Sequence, residues 1–415
     1  MMSRRMLIGL LVVSLFMLVA ATGMGTASAL TPKEQLGKSI FFDTNLSINK
    51  NQSCATCHGP EVGFTGPQSD VNASGAVYEG SISGRFGDRK PPTAAYATVS
   101  PILHMDKGGL WIGGNFWDGR ATGEKLGNPA ADQALGPFLN HVEQALPDSA
   151  CVVYRVCIAN PVSFEGVWGA GACGIAWPTD IDTVCATEGS VVALSDEDRA
   201  KSNTAYDNIG LSIAAYESSS EINAFTSKFD SHKFSREELI GFALFRGKGK
   251  CRLCHISNGK NPLFTDFTYD NLGVPKNPEN PVYNVNPGFV DEGLGSFLRT
   301  AGYPEEVYEP EIGKVKVPTL RDVDLRPYSG FVKAYGHNGY FKSLKGIVHF
   351  YNTRDVRPEC PGPYTEAQAL AADCWPPPEV PGTVNREELG NLGLTDKEED
   401  AIVAFLKTLS DGFIP

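Results

Sequence analysis

The sequence predicts a mainly α-helical protein of two similar halves wrapped in long loops, and three observations predict it. One short motif occurs twice, as Cys54-Ala-Thr-Cys57-His58 and Cys251-Arg-Leu-Cys254-His255. The flanks of the two copies match as well. Gly37-x-x-Ile40-Phe41 precedes the first and Gly241-x-x-Leu244-Phe245 the second; Phe64-Thr65 follows the first and Phe264-Thr265 the second. Strand signals are sparse, while 44 Gly and 28 Pro favour turns and loops.

Cys-x-x-Cys-His is the attachment signature of c-type haem. The two thiols add across the haem vinyl groups, and the histidine of the same turn reaches the iron. Two copies predict two covalently bound haem c groups, on Cys54 and Cys57 and on Cys251 and Cys254, with His58 and His255 as iron ligands. A redox dithiol or half a zinc site is the alternative. Zinc would want a second Cys/His pair at the usual spacing, and neither copy is followed by one. The fold expected is therefore two cytochrome-c-like haem domains.

Each further element has a local reason. Residues 1–29 read as an export signal. Arg4 and Arg5 form the charged start, residues 6–21 are apolar, and Ala27-Ser28-Ala29 is a small-residue cleavage site. An uncleaved anchor is the alternative, and no later run is long and apolar enough to span a bilayer. Export to the periplasm agrees with covalent haem attachment, which takes place outside the bacterial cytoplasm. The first haem domain is expected over residues 30–200, with a Cys-, Gly- and Trp-rich insertion at 150–190, and the second over 201–415. Residues 206–217 carry Ile209, Ile213 and Ala214 at helical spacing, and residues 344–351 form a second helical candidate. A third starts at Thr395, whose capping box is closed by Glu398, and runs through Ile402, Phe405, Leu406 and Leu409.

Six cysteines lie outside the haem motifs. An even number in an oxidising compartment predicts disulfides, Cys360 with Cys374 among them. The sequence does not pair Cys151, Cys157, Cys173 and Cys185. The formal charge is −12, and no basic stripe suggests nucleic acid. An acidic surface favours a basic or small neutral redox partner.

Each iron needs a sixth ligand or an open face. Of the six methionines only Met105 lies beyond the signal, far upstream of the second haem motif. The C-terminal half therefore supplies no methionine to its own haem, which leaves His337, His349 and Tyr351. No histidine occurs between His58 and His104. The loop after the first haem thus offers none to close its distal face, unless His104 or Met105 folds back. An open iron is what peroxide chemistry requires, because the oxidant must coordinate.

From about Leu36 to the C-terminus, the insertion apart, the chain resembles the bacterial di-haem cytochrome c peroxidases, and more closely their MauG-like branch. The stretches that carry the resemblance are Leu36-Gly-Lys-Ser-Ile-Phe-Phe-Asp43, Phe116-Trp-Asp-Gly-Arg120, Gln133-Ala-Leu-Gly-Pro137, Phe225-Thr-Ser-Lys-Phe-Asp230, Pro318-Thr-Leu-Arg-Asp322 and residues 392–411. The resemblance implies that the first haem takes peroxide, with His58 behind it, Glu143 as the distal acid and Gln133 as the distal amide. It places Trp117 between the haems. In the peroxidase branch a methionine caps the second iron; in the MauG-like branch a tyrosine does, within a stretch like His349-Phe-Tyr351-Asn352. His349 and Tyr351 stand about 200° apart on a helix, so one of them faces the iron; Tyr351 is preferred. His337, in Gly336-His-Asn-Gly339, reads as a turn residue. The family also implies an interdomain calcium and a homodimer. Lys90 stands where the calcium-binding asparagine is expected, and a lysine cannot coordinate Ca²⁺, so calcium is in doubt unless Asp88 or backbone carbonyls near Pro318 compensate.

These assignments carry a chemistry. Splitting peroxide heterolytically moves one proton from the inner to the outer oxygen, which a carboxylate at Glu143 can do. Gln133 would hold the oxidant by hydrogen bonds. Trp117 suits an electron relay, or core packing. An oxygen donor at Tyr351 favours higher oxidation states of the second iron. Arg321 is expected to pair with a haem propionate, or with a surface acid. The activity expected is reduction of hydrogen peroxide with electrons from a small cytochrome c or cupredoxin. The alternatives are MauG-like oxidation of side chains in a partner protein and, without catalysis, a di-haem electron-transfer cytochrome.

Overall fold

The computed structural model describes residues 29–414. The expected export signal lies outside the described residues except for Ala29. Seven helices carry the architecture: α1 (Pro32–Phe41), α2 (Pro129–Leu139), α3 (Ser149–Ala159), α4 (Asp196–Glu217), α5 (Arg236–Arg246), α6 (Leu344–Thr353) and α7 (Asp396–Lys407). Shorter helical turns and loops connect them. The described strands form two two-stranded ribbons, β1 (His104–Met105) with β2 (Trp111–Ile112) and β3 (Tyr269–Asp270) with β4 (Val315–Lys316), both antiparallel. The mainly α expectation is met.

The repeated glycines explain themselves in the packing. α1 crosses α4 at Gly37, where an added Cβ would sit 1.9 Å from the Ser212 carbonyl oxygen. α5 crosses α7 at Gly241, where a Cβ would sit 1.8 Å from the Ala401 carbonyl oxygen. Only glycine permits either approach. Four residues beyond each contact an aromatic, Tyr216 or Phe405, closes over the crossing. Capping boxes start α1 (Thr31 and Glu34), α5 (Ser235 and Glu238) and, as expected, α7 (Thr395 and Glu398).

Two cores follow from the two crossings. The first gathers Leu36, Ile40, Phe41, Phe138, Ile209 and Ile213; the second gathers Phe229, Phe245, Phe264, Phe350, Ile402 and Phe405. α4 spans the boundary expected at residue 200 and packs in the first half, so the chain turns toward the second half only after α4. The Cys-rich insertion also enters the first core. α3 buries Cys151, Val152, Val153 and Val156, and the disulfides Cys151–Cys185 and Cys157–Cys173 tie the insertion together. Buried Arg155 of α3 donates to the carbonyls of Asn45 and Ser47, just ahead of the first haem motif. Cys360 pairs with Cys374 as expected.

Candidate active site

The two Cys-x-x-Cys-His turns are built alike. His58 Nδ1 lies 3.0 Å from the Phe64 carbonyl oxygen and His255 Nδ1 lies 2.7 Å from that of Phe264. A carbonyl only accepts, so each Nδ1 carries the hydrogen and each Nε2 is left to bind iron. Burial pulls both imidazoles below the usual histidine range and keeps them neutral, as ligands must be. Phe64 and Phe264 both adopt a left-handed backbone, φ 55°, which aims each carbonyl at its histidine. Thr65 then donates to the Pro91 carbonyl and Thr265 to that of Val317, each at 2.7 Å. Thr93 and Thr319 close the same loops by donating to the carbonyls of Gly63 and Leu263.

Among the described residues, Cys54, Cys57, Cys251 and Cys254 are the cysteines outside disulfides. Burial pushes the thiols of Cys54 and Cys251 up to about 12. A redox dithiol wants a lowered pKa, so the geometry argues against that reading. These residues fit haem c: paired thiols, a neutral histidine with a free Nε2 and, beside the first motif, a large cavity.

That cavity encloses about 1120 Å³ of open space, its mouth included, between the two halves. His58, Cys54 and Cys57 line it together with Gln133, Pro137 and Glu143. α2 starts at Asn128, whose side chain accepts from the first backbone N–H groups, and presents Gln133 and Pro137 one turn apart. After α2 the chain turns at Asn140, whose side-chain amide donates to Glu143 Oε2 at 2.8 Å. The Glu143 carbonyl accepts from Ser81 N at 2.7 Å, and Gly80 leaves the room for this approach. Burial raises the Glu143 carboxyl above the usual range, while Asn140 and Arg120 offset part of the rise. His58 is the one histidine among the described residues lining the cavity, and no methionine lines it. His104 and Met105 are exposed on β1, with His104 Nδ1 turned to the Ile102 carbonyl at 2.8 Å. They do not fold back.

Trp117 is buried at the seam between the halves. Its Nε1 donates to the Lys90 carbonyl at 2.8 Å and its own carbonyl accepts from Lys316 N at 2.8 Å. His337 occupies the matching turn in the second half, where Lys90 N donates to its carbonyl at 2.8 Å. The rings of Trp117 and His337 meet edge to face with centroids 6.4 Å apart. His337 is thus a turn residue, as expected, but a buried one. Asp118, the neighbour of Trp117, binds Arg89, and Arg89 also binds Asp291 of the second half.

At the second haem turn α6 separates its two candidates. His349 points to α7, with Nδ1 2.9 Å from Glu399 Oε1. Bonds from His349, Asn352 and Lys345 outweigh burial and hold Glu399 down to about 2. Tyr351 lies on the other face, against Cys251 and Cys254. Burial, then those thiols, drive its phenol far above the usual range, and its hydroxyl makes no hydrogen bond among the described residues. An iron bound at this turn would pull such a group toward the phenolate, so Tyr351 is the residue that would hold it as an oxygen ligand.

Arg321 requires a correction. It is neither a surface residue nor a lining residue of the first cavity. Its side chain is buried, its fork binds Asp230 at 2.7 and 3.0 Å, and Nε donates to the Pro262 carbonyl. The guanidinium sits 4.9 Å above the Phe225 ring. The Phe225-Thr-Ser-Lys-Phe-Asp230 stretch is its socket, so both ends of the fork are committed to protein.

Sequence reasoning missed Glu217. It lines the cavity one turn beyond Ile213, is 4% exposed, and its carboxyl makes no hydrogen bond among the described residues. Burial raises it to about 8. The matched crossings align Ser212 with Ala401 and Tyr216 with Phe405, so Glu217 stands where the second half has Leu406. The signal was present: an acid at i+4 from Ile213 falls on the apolar face of α4.

A family model described as di-haem cytochrome c peroxidase matches residues 31–238. The chain is 35% identical to methylamine utilization protein MauG of Paracoccus denitrificans, over 93% of this chain and 92% of that protein. It is 27% identical to cytochrome c551 peroxidase of Nitrosomonas europaea, over 84% of each. Among solved structures, the diheme peroxidase BthA of Burkholderia thailandensis superposes with a TM-score of 0.70 at 27% identity, covering 92% of this chain and 86% of that one. With the paired haem turns and the acid- and amide-lined cavity, these similarities establish that the chain belongs to the di-haem cytochrome c peroxidase family, a c-type di-haem oxidoreductase that acts on peroxide.

Proposed function

We propose that the chain reduces hydrogen peroxide at its first haem with electrons that an external redox protein delivers to the second, in the periplasm. The observation that carries this is the first cavity, where Glu143 and Gln133 share a space with His58 and no further histidine or methionine. When bound, the haem there supplies the iron and the electrons that cleave the O–O bond. Glu143 takes the proton of the inner oxygen and returns it to the outer one, which leaves as water. Gln133 donates to the oxidant and holds its orientation. Pro137 and Phe116 line the same cavity and limit water. Overall, peroxide takes up two electrons and two protons and yields two waters. The net negative charge favours a small basic or neutral donor, such as a cytochrome c or a cupredoxin. Three disulfides favour an oxidising compartment.

A second reading has its own support. Tyr351 facing the second haem turn, together with the 35% identity to a MauG protein, favours peroxide-dependent oxidation of side chains in a partner protein. One experiment tests the shared step. The reaction of the holoprotein with hydrogen peroxide is followed by stopped-flow absorbance in the Soret band, with and without a reduced donor. Glu143→Gln should slow it by roughly 10²- to 10⁴-fold. An unchanged rate removes Glu143 from the chemistry. A ferric spectrum that neither cyanide nor peroxide alters reduces the protein to an electron-transfer cytochrome. Peroxide-oxidised protein that leaves every small donor untouched favours the partner-protein reading.

A further inference from the structure

The family implies a calcium ion between the two haem domains, and the residues here do not fit one. Lys90 stands at the position expected to donate a side-chain oxygen. Its Nζ lies 3.1 Å from Thr65 Oγ1 and 3.0 Å from the Pro91 carbonyl. Lys90 is 8% exposed. The Val317 carbonyl, beside Pro318, is also engaged and accepts from Thr265. The Asp88 carbonyl accepts from Asn280. A divalent ion placed among these groups would meet a buried ammonium and oxygens that already accept hydrogen bonds.

Lys316 is the counterpart of Lys90 in the second half. Each precedes the segment that carries the matched threonine, Thr93 or Thr319. Each donates its backbone N–H across the seam, Lys90 to His337 and Lys316 to Trp117. The Lys316 ammonium enters the first half, where it meets Ser100 Oγ at 2.5 Å, Asn115 Oδ1 at 3.1 Å and the Gly114 carbonyl. Three oxygens around one nitrogen match the three hydrogens of an ammonium, against which burial pulls the Lys316 pKa down to about 7. Lys333 repeats the device. Its Nζ donates to the carbonyls of Val62 at 2.8 Å, Asp322 at 2.8 Å and Leu325 at 3.0 Å, and Val62 belongs to the first half. The seam thus holds buried lysine side chains ringed by oxygens, and burial pulls their pKa down, to about 8 for Lys90 and about 7 for Lys316 and Lys333.

We propose that no calcium binds at this seam: Lys90 fills the ligand position within the first half, and the bridge between the two haem domains is made by Lys316 and Lys333, whose side chains cross from the second half to oxygens of the first. Lys316 also lines the first cavity, but the inference concerns metal content and stability at the seam and does not depend on which substrate the first haem serves.

The test uses the purified holoprotein. Elemental analysis after gel filtration should find no stoichiometric calcium. The thermal unfolding midpoint and the ferric absorption spectrum should be the same in a calcium chelator and in millimolar Ca²⁺. Lys316→Ala removes the side chain that reaches Ser100, Gly114 and Asn115 across the seam and should lower the midpoint by about 3–6 °C, as expected for lost buried hydrogen bonds in a large chain. Lys90→Asn reinstates the oxygen side chain, so its midpoint should rise on addition of Ca²⁺ while that of the parent does not. Stoichiometric calcium in the parent protein, with a midpoint that falls on chelation and recovers with Ca²⁺, would overturn the proposal. So would midpoints unchanged in both lysine variants.

Discussion

Glu217 gives the sharpest quantitative expectation. Its carboxyl is buried in the haem cavity without a hydrogen-bond partner among the described residues, and its pKa rises from 4.5 to about 8. A carboxyl with a raised folded-state pKa favours the folded protein most at low pH, where both states are protonated. That contribution is lost as pH rises through the window between 4.5 and 8. From pH 4.5 to pH 7 the span is 2.5 units, and at about 1.4 kcal/mol per unit the loss is roughly 3 kcal/mol. Glu217→Gln keeps the shape and removes the titration. The variant should match the parent near pH 4.5 and exceed it by roughly 3 kcal/mol at pH 7. Guanidinium unfolding of both holoproteins, followed by far-UV circular dichroism across this range, measures the gap. A gap that stays constant with pH would show that Glu217 does not hold its proton in the cavity, and the assignment of a neutral acid there would fail.

Two further substitutions address the electron path. Tyr351→Phe removes the oxygen from the second haem turn and should open that iron, so that cyanide titration of the ferric protein gives two equivalents instead of one; a single equivalent in the variant would mean that Tyr351 is not the ligand. Trp117→Phe leaves the Lys90 carbonyl without its indole donor. It should cost about 1 kcal/mol of stability and slow electron exchange between the haems, measured by photoreduction kinetics; an unchanged exchange rate would leave Trp117 a packing residue.

Much of this architecture is legible in the chain because covalent haem attachment writes itself as contiguous residues. The glycine and Phe-Thr repeats are legible for the same local reason. Gly37 and Gly241 are each forced by one helix crossing, and Phe64 and Phe264 each aim one carbonyl at a histidine a few residues away. The methionine count excluded a His/Met second haem, and helical phase separated His349 from Tyr351. What stayed hidden depends on long-range contacts. Arg321 looks exposed in Pro-Thr-Leu-Arg-Asp, yet its partner Asp230 lies far away in sequence and closes a socket that no local pattern announces. The segment at 150–190 reads as a disulfide-tied insertion by composition, which does not announce that α3 within it is a core helix. Thr93 and Thr319 close a third repeat, Lys90-Pro-Pro-Thr93 and Lys316-Val-Pro-Thr319, whose meaning appears only with their equivalent carbonyl partners. Lys90 reads as a defect in a calcium site until its oxygen partners are seen.

The two halves share one scaffold, so their different tasks must come from a few positions. The helix crossing, the carbonyl-held histidine and the threonine-pinned loop are the same on both sides. The first half adds α2 and the Asn140 turn, which bring Gln133 and Glu143 into its cavity, and it places Glu217 where the second half keeps Leu406. The second half adds α6, which sets Tyr351 against its haem turn and spends His349 on Glu399. Between them, Lys90 N binds the His337 carbonyl while Lys316 N binds that of Trp117. Sliding one half against the other would strain both backbone bonds at once and separate the Trp117 and His337 rings. The seam is therefore pinned by main-chain geometry, and the side chains around each haem turn are free to differ, Gln133, Glu143 and Glu217 in the first cavity and Tyr351 at the second turn.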